Sequence, residues 1–444
     1  MPEQPLPAGF TAAEPFIAGA TGSLTAGEFG AAVAAAIVAA PAGPMVNLCE
    51  DRASFLAGFA AAVSQGRTTL LPASRAAAAI AELVEANPDS ALLDDRALAA
   101  IPPAAARIVG TPAADFTAAV AYTSGTTGKP GEHAKTWSGF IATTRLNAAA
   151  IRARLDVDGA ASRPWIVATV PAQHMYGLET TVLLPLLGGF GIHRGRPLLP
   201  ADVAAALDQV PAPRVLVSTP LHLRALVESG VRFPRVAVVV SATAPLSQDL
   251  ARRVEQTFGA SLLEMFGATE TCVFATRLTA RQTRWRPYAG VRLTPTTDDT
   301  LLDAPWLPGG RRLLDIVELH ADGLFTVLGR SSDLVEVAGK RASIADLTRR
   351  IGALNGVRDV VVFQPDAPET GAAQRLVALV VAPGLEARDI LARLRPSIDP
   401  AFLPRPLLVV PELPRNDVGK LPRARLHAVL RLAGEESRGV ADQD

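Results

Sequence analysis

The sequence predicts an α/β protein with a large N-terminal domain of α/β layers and a small α+β C-terminal domain. Three observations support this prediction. Apolar runs alternate with helical segments over roughly residues 120–270, the composition shifts after about residue 285, and a new strand–turn–helix pattern starts after residue 330. We therefore assign residues 1–330 to the N-terminal domain and residues 331–444 to the C-terminal domain.

The N-terminal domain is predicted to contain Ala-rich helices and buried strands. Because Ala favours helix, we place helices near residues 27–40, 54–64, 74–86 and 202–208. Three β-branched runs predict strands: WIVATV (165–170), RVLVST (214–219) and RVAVVVSA (235–242). Bare apolar runs of this kind suit strands buried on both faces, so we expect a parallel sheet covered by helices.

The C-terminal part differs from the rest of the chain in composition and in its pattern of predicted elements. Pro, Gly and charged residues after about residue 285 indicate short antiparallel strands and turns, and GLFTVLGR then predicts a strand that ends at Arg330. SSDLVEVAGKRASIADL is typical of strand, turn and helix, while GVRDVVVFQP and QRLVALVVAP predict two further strands before a helix near 386–395. This succession predicts a separate small α+β domain.

Composition excludes several classes of protein. The chain has 444 residues, of which 49% are hydrophobic and 19% charged, so a large core is expected and global disorder is not. Lys+Arg and Asp+Glu are both 43, which argues against a broad nucleic-acid or membrane-surface footprint. Neither a signal peptide, a membrane span nor a cysteine metal pattern is recognisable. We expect a soluble, cytoplasmic protein.

The stretch AYTSGTTGKPGEHAKTW (121–137) has the composition of a phosphate-binding loop. An apolar run leads into a Gly/Ser/Thr turn whose backbone N–H groups and hydroxyls can converge on phosphate oxygens. It is not a Walker loop, because Lys129 is followed by Pro130 rather than by Ser or Thr. A Ser/Thr/Gly turn by itself is more often simply a turn.

Five further motifs follow in order. They are PAQHMYGLET (171–180), EMFGATET (264–271), LLDIVELHADGLFTVLGR (313–330), DLVEVAGKRASIADL and LPRNDVGKLPR (413–423). With the loop, this series resembles the adenylate-forming superfamily of acyl-CoA synthetases, peptide-synthetase adenylation domains and luciferases. The resemblance runs over residues 122 to 423, about two thirds of the chain.

The resemblance implies an ATP- and Mg²⁺-dependent ligase. Such enzymes activate a carboxylate as an acyl-adenylate, release pyrophosphate and pass the acyl group to a thiol. In this chain Glu270 would bind Mg²⁺, Thr269 would contact the α-phosphate, Asp315 would accept the ribose hydroxyls, and Arg330 would reach the ribose or phosphates. The remaining residues implied in nucleotide binding are the loop residues Thr123, Ser124, Gly125, Thr126, Thr127, Gly128 and Lys129, the adenine-side turn Ser241, Ala242 and Thr243, and Phe266 and Gly267.

Two residues are implied in catalysis beside Glu270. Lys420 would bridge the substrate carboxylate and the α-phosphate as charge redistributes, although a lysine in such a loop is otherwise simply solvent-exposed. His174 would lie between the ATP and acyl sites, in a gating or carboxylate-facing role; the alternative is a hydrogen-bonded core histidine.

The small domain of the family rotates between the two half-reactions. The hinge would fall at Ser332, where relatives usually carry Asp or Lys, so the hinge residue is an open question. Gly339 and Arg341 match the turn that lines the pantetheine tunnel in the thiol-transfer state. The resemblance thus implies a small mobile α+β C-terminal domain.

The chain is compact for this superfamily. Its loop motif starts by residue 122, and only 45 positions separate Glu270 from Asp315. We expect a large N-terminal domain of layered α/β subdomains with a trimmed start and a reduced β-barrel part.

The substrate is expected to be an aromatic acid of the hydroxybenzoate type. Met175 stands where peptide-synthetase domains usually carry an Asp for the substrate ammonium, which disfavours amino acids. HMYG and EMFGA suit an aromatic or short acyl acid, but core packing explains them equally well. The loop continues as Gly131, His133 and Lys135 instead of KPKGV, and with Trp137 it resembles compact ligases of aryl-polyene and xanthomonadin-type pigment pathways.

Several interpretations stay open at this point. One is a ligase that delivers an aryl acid to CoA or an acyl carrier protein. Others are an acyl-CoA synthetase for a short or medium aliphatic acid, and an enzyme that stops at the adenylate or uses a non-thiol acceptor. A further one is an inactive binding relative, against which the intact Glu270, Asp315, Arg330 and Lys420 count. Arg341, Arg349 and Arg350 offer a basic patch for an acidic carrier protein.

Overall fold

A computed structural model of the chain describes most of its residues. The described ranges are 7–20, 22–40, 42–101, 113–123, 131–155, 162–296, 299–330, 334–337, 340–365, 375–396, 398–415, 421 and 425–432. Two compact units are distinguished by their internal contacts. The first comprises Met1–Arg292, Asp303–Arg311 and Asp322–Leu324, and the second comprises Leu293–Leu302, Arg312–Ala321 and Phe325–Asp444. The domain boundary after residue 330 stays a prediction.

Fourteen described strands precede residue 292. They are β1 (Pro15–Gly19), β2 (Gly22–Thr25), β3 (Met45–Asn47), β4 (Thr69–Leu71), β5 (Ala91–Leu93), β6 (Thr117–Thr123), β7 (Gly131–Thr136), β8 (Trp165–Ala168), β9 (Gly191–His193), β10 (Arg214–Ser218), β11 (Val238–Ser241), β12 (Ser261–Ala268), β13 (Cys272–Arg277) and β14 (Arg286–Pro287). They form a nine-stranded sheet in the order β14-β13-β12-β11-β10-β8-β9-β1-β2 and a five-stranded sheet in the order β5-β3-β4-β6-β7.

The large sheet is parallel over its centre. Strands β12, β11, β10, β8, β9 and β1 pair in parallel, while β13, β14 and β2 pair antiparallel at the two ends. The three β-branched runs correspond to β8, β10 and β11, so the predicted buried parallel sheet is confirmed. In the smaller sheet only β7 runs antiparallel to its neighbour, β6.

Helices cover these sheets where the sequence predicts them. The described helices of this part are Ala26–Ala39, Arg52–Ser64, Ala77–Ala86, Asp95–Ala99, Trp137–Arg152, Met175–Leu178, Leu184–Gly188, Pro200–Asp208, Pro220–Glu228 and Gln248–Phe258, with a π-helical turn at Glu179–Leu183. Thr25 and Glu28 form a capping box that starts the first helix. The second helix is buried at every position except Ser54, since its small Ala side chains allow close packing on all sides.

The core between the large sheet and its helices is aliphatic. Val167, Leu216, Val239 and Leu262 come from four neighbouring strands, are fully buried and belong to one cluster with Leu226. Burial on this scale is the main favourable contribution to folding, and it holds the carboxyl ends of the strands in a fixed order.

The remaining strands are short. They are β15 (Arg292–Pro295), β16 (Thr300–Ala304), β17 (Leu307–Leu313), β18 (Asp315–Leu319), β19 (Phe325–Arg330), β20 (Leu334–Val337), β21 (Lys340–Ser343), β22 (Asp359–Phe363), β23 (Val377–Val381) and β24 (Leu407–Val409). They form small sheets in the orders β15-β16-β17, β18-β19, β20-β21 and β22-β23-β24. Helices span Ile344–Gly352 and Ala387–Leu394, and a 3-10 turn spans Pro400–Phe402.

The second unit has its own core. Ile351 and Ile390 come from the helices Ile344–Gly352 and Ala387–Leu394 and pack with Val362, Ala378 and Val380 of β22 and β23. The predicted strands and the predicted helix near 386–395 are therefore confirmed. No helix in the described part of the chain combines the length and apolarity needed to cross a bilayer.

Candidate active site

The predicted phosphate loop connects two antiparallel strands. Thr123 ends β6 and lies opposite Gly131, the first residue of β7. The loop residues Ser124, Gly125, Thr126, Thr127, Gly128 and Lys129 lie outside the described residues. The Thr123 hydroxyl is 3.1 Å from His133 Nε2, so the far side of the hairpin supports the residue from which the loop departs.

The ATET motif forms the tip of a second hairpin. Ala268 pairs with Cys272 across β12 and β13, which leaves Thr269, Glu270 and Thr271 at the turn. Thr271 closes this turn, because its N–H and its hydroxyl bond to the backbone of Ala268 and its hydroxyl also donates to the carbonyl of Cys272. Cys272 has a positive φ of 61°, a conformation that a non-glycine residue adopts only when its surroundings hold it there.

Gly267 precedes this turn and has no room for a side chain. A Cβ atom at Gly267 would collide with the backbone of Cys272 and Val273. The register of the hairpin shifts between Phe266 and Gly267, so the strand is bulged at this point. Phe266 packs against Phe274 and Trp285, with ring centroids 5.2 and 5.0 Å away.

Side chains of β7 join the two hairpins. Lys135 Nζ donates to the carbonyl oxygen of Glu270 at 2.6 Å, and His133 Nε2 lies 4.0 Å from Glu270 Oε1. Burial lowers the pKa of His133, and the Glu270 charge only partly opposes this effect, which favours a neutral ring near pH 7. The structure thus brings Thr123 and Glu270, a predicted phosphate contact and the predicted metal ligand, into one cluster.

A buried carboxyl group holds the other end of the Glu270 turn. The backbone N–H of Val273 lies 3.1 Å from both Glu179 oxygens. Asn147 Nδ2 donates to Glu179 at 3.1 Å, and Tyr288 donates to Asn147 Oδ1 at 2.8 Å. Burial raises the pKa of Glu179 to about 7, against the hydrogen bonds from Val273 and Asn147 and the charge of Lys135.

Sequence reasoning gave no site role to Lys135, His133 or Glu179. For Lys135 and His133 a signal existed, since GEHAKT departs from the usual continuation of the loop. Glu179 lies inside the PAQHMYGLET motif, but its contact with Val273, 94 positions away along the chain, could not be inferred from the sequence.

The predicted adenine-side turn follows β11, next to the ATET hairpin. Ser241 ends β11 opposite Glu264 of β12. Its hydroxyl is buried and has no hydrogen-bond partner among the described residues. Thr243 is exposed and has a positive φ of 82°, and Ala242 between them is buried. The turn therefore lies at the carboxyl edge of the parallel sheet, where ligands bind in open α/β sheets.

His174 also lies at this edge. It is exposed and immediately precedes the helix Met175–Leu178, so it is not a core histidine. The Tyr176 hydroxyl anchors this helix, because it lies 3.2 Å from the carbonyl oxygen of Ser218 and 3.1 Å from that of Val240, at the ends of β10 and β11. The proposed gating role of His174 stays a prediction.

The other predicted site residues belong to the second unit. Asp315 is buried and starts β18 directly opposite Arg330, the last residue of β19. Arg341 lies on β21 opposite Glu336. The side chains of Arg330 and Arg341 are not described, and Ser332, Gly339 and Lys420 lie outside the described residues.

The Glu270 turn fits a magnesium ion that is shared with a nucleotide. Within the described ranges, no group of three or more His, Cys, Asp or Glu side chains is arranged to hold a metal. Mg²⁺ does not need such a cage, since it is typically bound by one or two carboxylates together with substrate phosphates and water. Glu270, whose side chain is 36% exposed beside the phosphate-loop hairpin, has the right chemistry and position for that role.

Comparison with known proteins gives the family. The AMP-binding enzyme family matches residues 16–305. The chain belongs to this family. It is 28% identical over 314 residues to a 4-coumarate–CoA ligase of Halorhodospira halophila, covering 67% of this chain and 73% of the relative. It is also 28% identical over 291 residues to a salicylyl-CoA synthase/salicylate adenylyltransferase of a Streptomyces species, covering 57% of this chain and 49% of the relative.

Solved structures agree on the fold. The o-succinylbenzoate CoA synthetase from Bacillus subtilis, in complex with its acyl-adenylate intermediate, superimposes with a TM-score of 0.74 at 18% identity, covering 93% of this chain and 95% of that one. The predicted fold class of an adenylate-forming enzyme is confirmed. The family and its ligase relatives support an AMP-forming, ATP-dependent acid–thiol ligase, with ATP and Mg²⁺ as cofactors.

Proposed function

We propose that this AMP-binding enzyme adenylates an aromatic carboxylic acid of the hydroxybenzoate class and transfers the acyl group to a pantetheine thiol. The observation that carries the proposal is the contact between the two hairpins. Thr123 and Glu270 both lie near His133, at 3.1 and 4.0 Å, so the predicted phosphate contact and the predicted magnesium ligand are neighbours.

The proposal assigns each half of the nucleotide to a group of residues. Thr123 and the loop of residues 124–129 bind the β- and γ-phosphates, and Thr269 binds the α-phosphate. Asp315, as an acceptor for two hydroxyls, orients the ribose. Mg²⁺, when bound at Glu270, neutralises phosphate charge. Lys420 binds the substrate carboxylate and stabilises the charge that develops during adenylation.

The proposed substrate class is inferred from the residues expected to line the binding site for the acid. Met175 is buried, so an amino acid would bring an ammonium group to a position without a carboxylate partner. Phe266, which is only partly buried near the end of β12, would offer a flat apolar surface, which favours an aromatic ring. The relatives compared above are named for 4-coumarate and salicylate, both aromatic acids.

The acceptor is proposed to be CoA or the prosthetic group of an acyl carrier protein. Both present the same pantetheine thiol, and Gly339 and Arg341 are the residues assigned to its tunnel. We propose that the reaction takes place in the cytoplasm, where ATP and these thiols are available.

An ATP–pyrophosphate exchange assay over hydroxybenzoates, cinnamates and fatty acids tests the proposal. We expect exchange with hydroxybenzoates to exceed that with fatty acids by about a hundredfold, the discrimination that about 3 kcal/mol provides. No exchange with any acid would overturn the proposal. Exchange confined to fatty acids would instead identify an aliphatic acyl ligase.

A product assay with CoA or a holo-carrier protein then identifies the acceptor. A thioester with one of them is the expected result. If the acyl-adenylate accumulates with neither thiol reacting, the enzyme stops at the adenylate or uses another nucleophile.

A further inference from the structure

Lysine is rare in this chain, and its positions can be compared with those of the predicted site motifs. Only four of the 43 basic residues are lysines, at positions 129, 135, 340 and 420. Lys129, Lys340 and Lys420 lie in the phosphate loop, beside the pantetheine turn and in the closing motif. Lys135 follows the phosphate loop on β7, and no site role has been assigned to it.

Lys135 is also buried, with only 5% of its surface exposed. A buried ammonium group is costly unless its charge and its N–H donors find partners. Its described partner is the carbonyl oxygen of Glu270, at 2.6 Å. An ammonium on a slender stem can reach a single carbonyl in a tight space, whereas the planar fork of an arginine cannot. This explains why an otherwise Arg-rich chain carries a lysine here.

Glu179 bonds to the same turn from the opposite side. Its carboxyl group is 1% exposed and accepts the N–H of Val273, three positions after Glu270. Between the two contacts, the indole N–H of Trp306 donates to the carbonyl of Thr271 at 3.0 Å. Backbone groups of the turn are therefore held by side chains from three distant segments, while the Glu270 side chain, 4.0 Å from His133, is partly exposed.

We propose that Lys135 and Glu179 are positioning residues that fix the backbone of the Glu270 turn, so that its carboxylate is preorganised for the magnesium ion of ATP. The inference rests on the proposed function, since it assumes that Glu270 meets Mg·ATP. It adds two residues that touch neither the nucleotide nor the metal. Such supporting contacts commonly control metal affinity, because they restrict the orientation of the ligand.

The test measures nucleotide binding rather than turnover. ATP binding is titrated calorimetrically at increasing MgCl₂ for the wild type and for Lys135→Met, Lys135→Arg and Glu179→Leu, with AMP in metal-free buffer as the reference ligand. All three variants are expected to need about ten- to hundredfold more Mg²⁺ for half-maximal ATP binding. Their affinity for AMP is expected to stay within about twofold of the wild type, since a positioning role acts only through the metal.

Thr181→Val is the matched control. Thr181 is fully buried in the same π-helical turn as Glu179, but its hydroxyl donates to the preceding helix, to the carbonyl of Gly177 at 2.7 Å. This variant removes a buried hydrogen bond without touching the Glu270 turn. It should keep the wild-type magnesium dependence.

Two results would overturn the inference. One is an unchanged magnesium dependence in the variants; the other is an equal loss of AMP and Mg·ATP binding, which indicates general damage. If Lys135→Met or Glu179→Leu does not fold, Lys135→Arg, which keeps the positive charge but not the single contact with the Glu270 carbonyl, decides by the same criteria. Wild-type protein that binds no ATP even with magnesium would overturn the proposed function itself.

Discussion

The carboxyl group of Glu179 is buried away from solvent. Burial raises its pKa from an ordinary 4.5 to about 7, so the folded protein binds this proton more tightly than the unfolded chain does. The stabilisation that results is fully present below pH 4.5 and is lost as the pH rises to about 7. Above that, the carboxylate is charged in both states and the contribution no longer changes.

Glu179→Gln should remove this pH dependence. From the shift in pKa, the wild type is expected to lose about 3 kcal/mol of unfolding free energy between pH 4.5 and 8 from this group, and the variant none of it. Urea denaturation of both proteins across that range measures the difference. Parallel stability curves for the two proteins would contradict the assignment.

At the scale of the element, the ATET hairpin depends on a glycine at its bulge. Gly267→Ala places a Cβ against the backbone of Cys272 and Val273, which cannot move aside without opening the turn. We expect a loss of about 2 kcal/mol in stability and a weaker binding of Mg·ATP. Thermal unfolding and calorimetry measure the two effects.

Gly30→Ala provides the comparison for that variant. Gly30 lies inside the helix Ala26–Ala39, where an added Cβ meets nothing within 4 Å. This substitution is expected to stabilise the protein by about 0.5–1 kcal/mol, because alanine favours helix. A similar loss in both variants would mean that the bulge has no special role.

Element types followed from the sequence wherever burial was uniform. The strands β8, β10 and β11 each contain an uninterrupted apolar stretch, WIVA, VLV and VVV, and a strand covered on both faces requires this. Strand β7 was not predicted, because GEHAKT carries neither a β-branched run nor an apolar alternation. It is a strand because β6 pairs with it, a tertiary cause that local propensity does not register.

Motif residues were selected from the sequence, whereas the residues that support their turns were not. The motifs selected Thr123, Ser241, Gly267 and Glu270, which lie at strand ends and hairpin turns, and their roles toward a ligand stay predictions. Glu179 lies in a motif but was given no role, since its contact with Val273 exists only after two distant segments have folded together. A motif does not show which of its residues act through the backbone of a distant residue.

At the scale of the whole molecule, the role proposed for Lys420 predicts that its loss affects adenylation and not thioester formation. Lys420→Ala should reduce ATP–pyrophosphate exchange by about a thousandfold or more, because a charge that stabilises the adenylation transition state is lost. Thioester formation from a supplied acyl-adenylate should stay near the wild-type rate. Both rates are measured on the same preparation, and undiminished exchange would refute the role.

The position of β7 at the edge of its sheet gives Lys135 a second expected effect, on aggregation. β7 is the last strand of the five-stranded sheet, and an outermost strand presents backbone groups on which another chain can assemble. A charge that points inward discourages such assembly, because an added strand would have to bury it as well. The lysine that steadies the Glu270 turn should therefore also protect this margin of the sheet from aggregation, and Lys135→Met should scatter more light than the wild type as its concentration is raised.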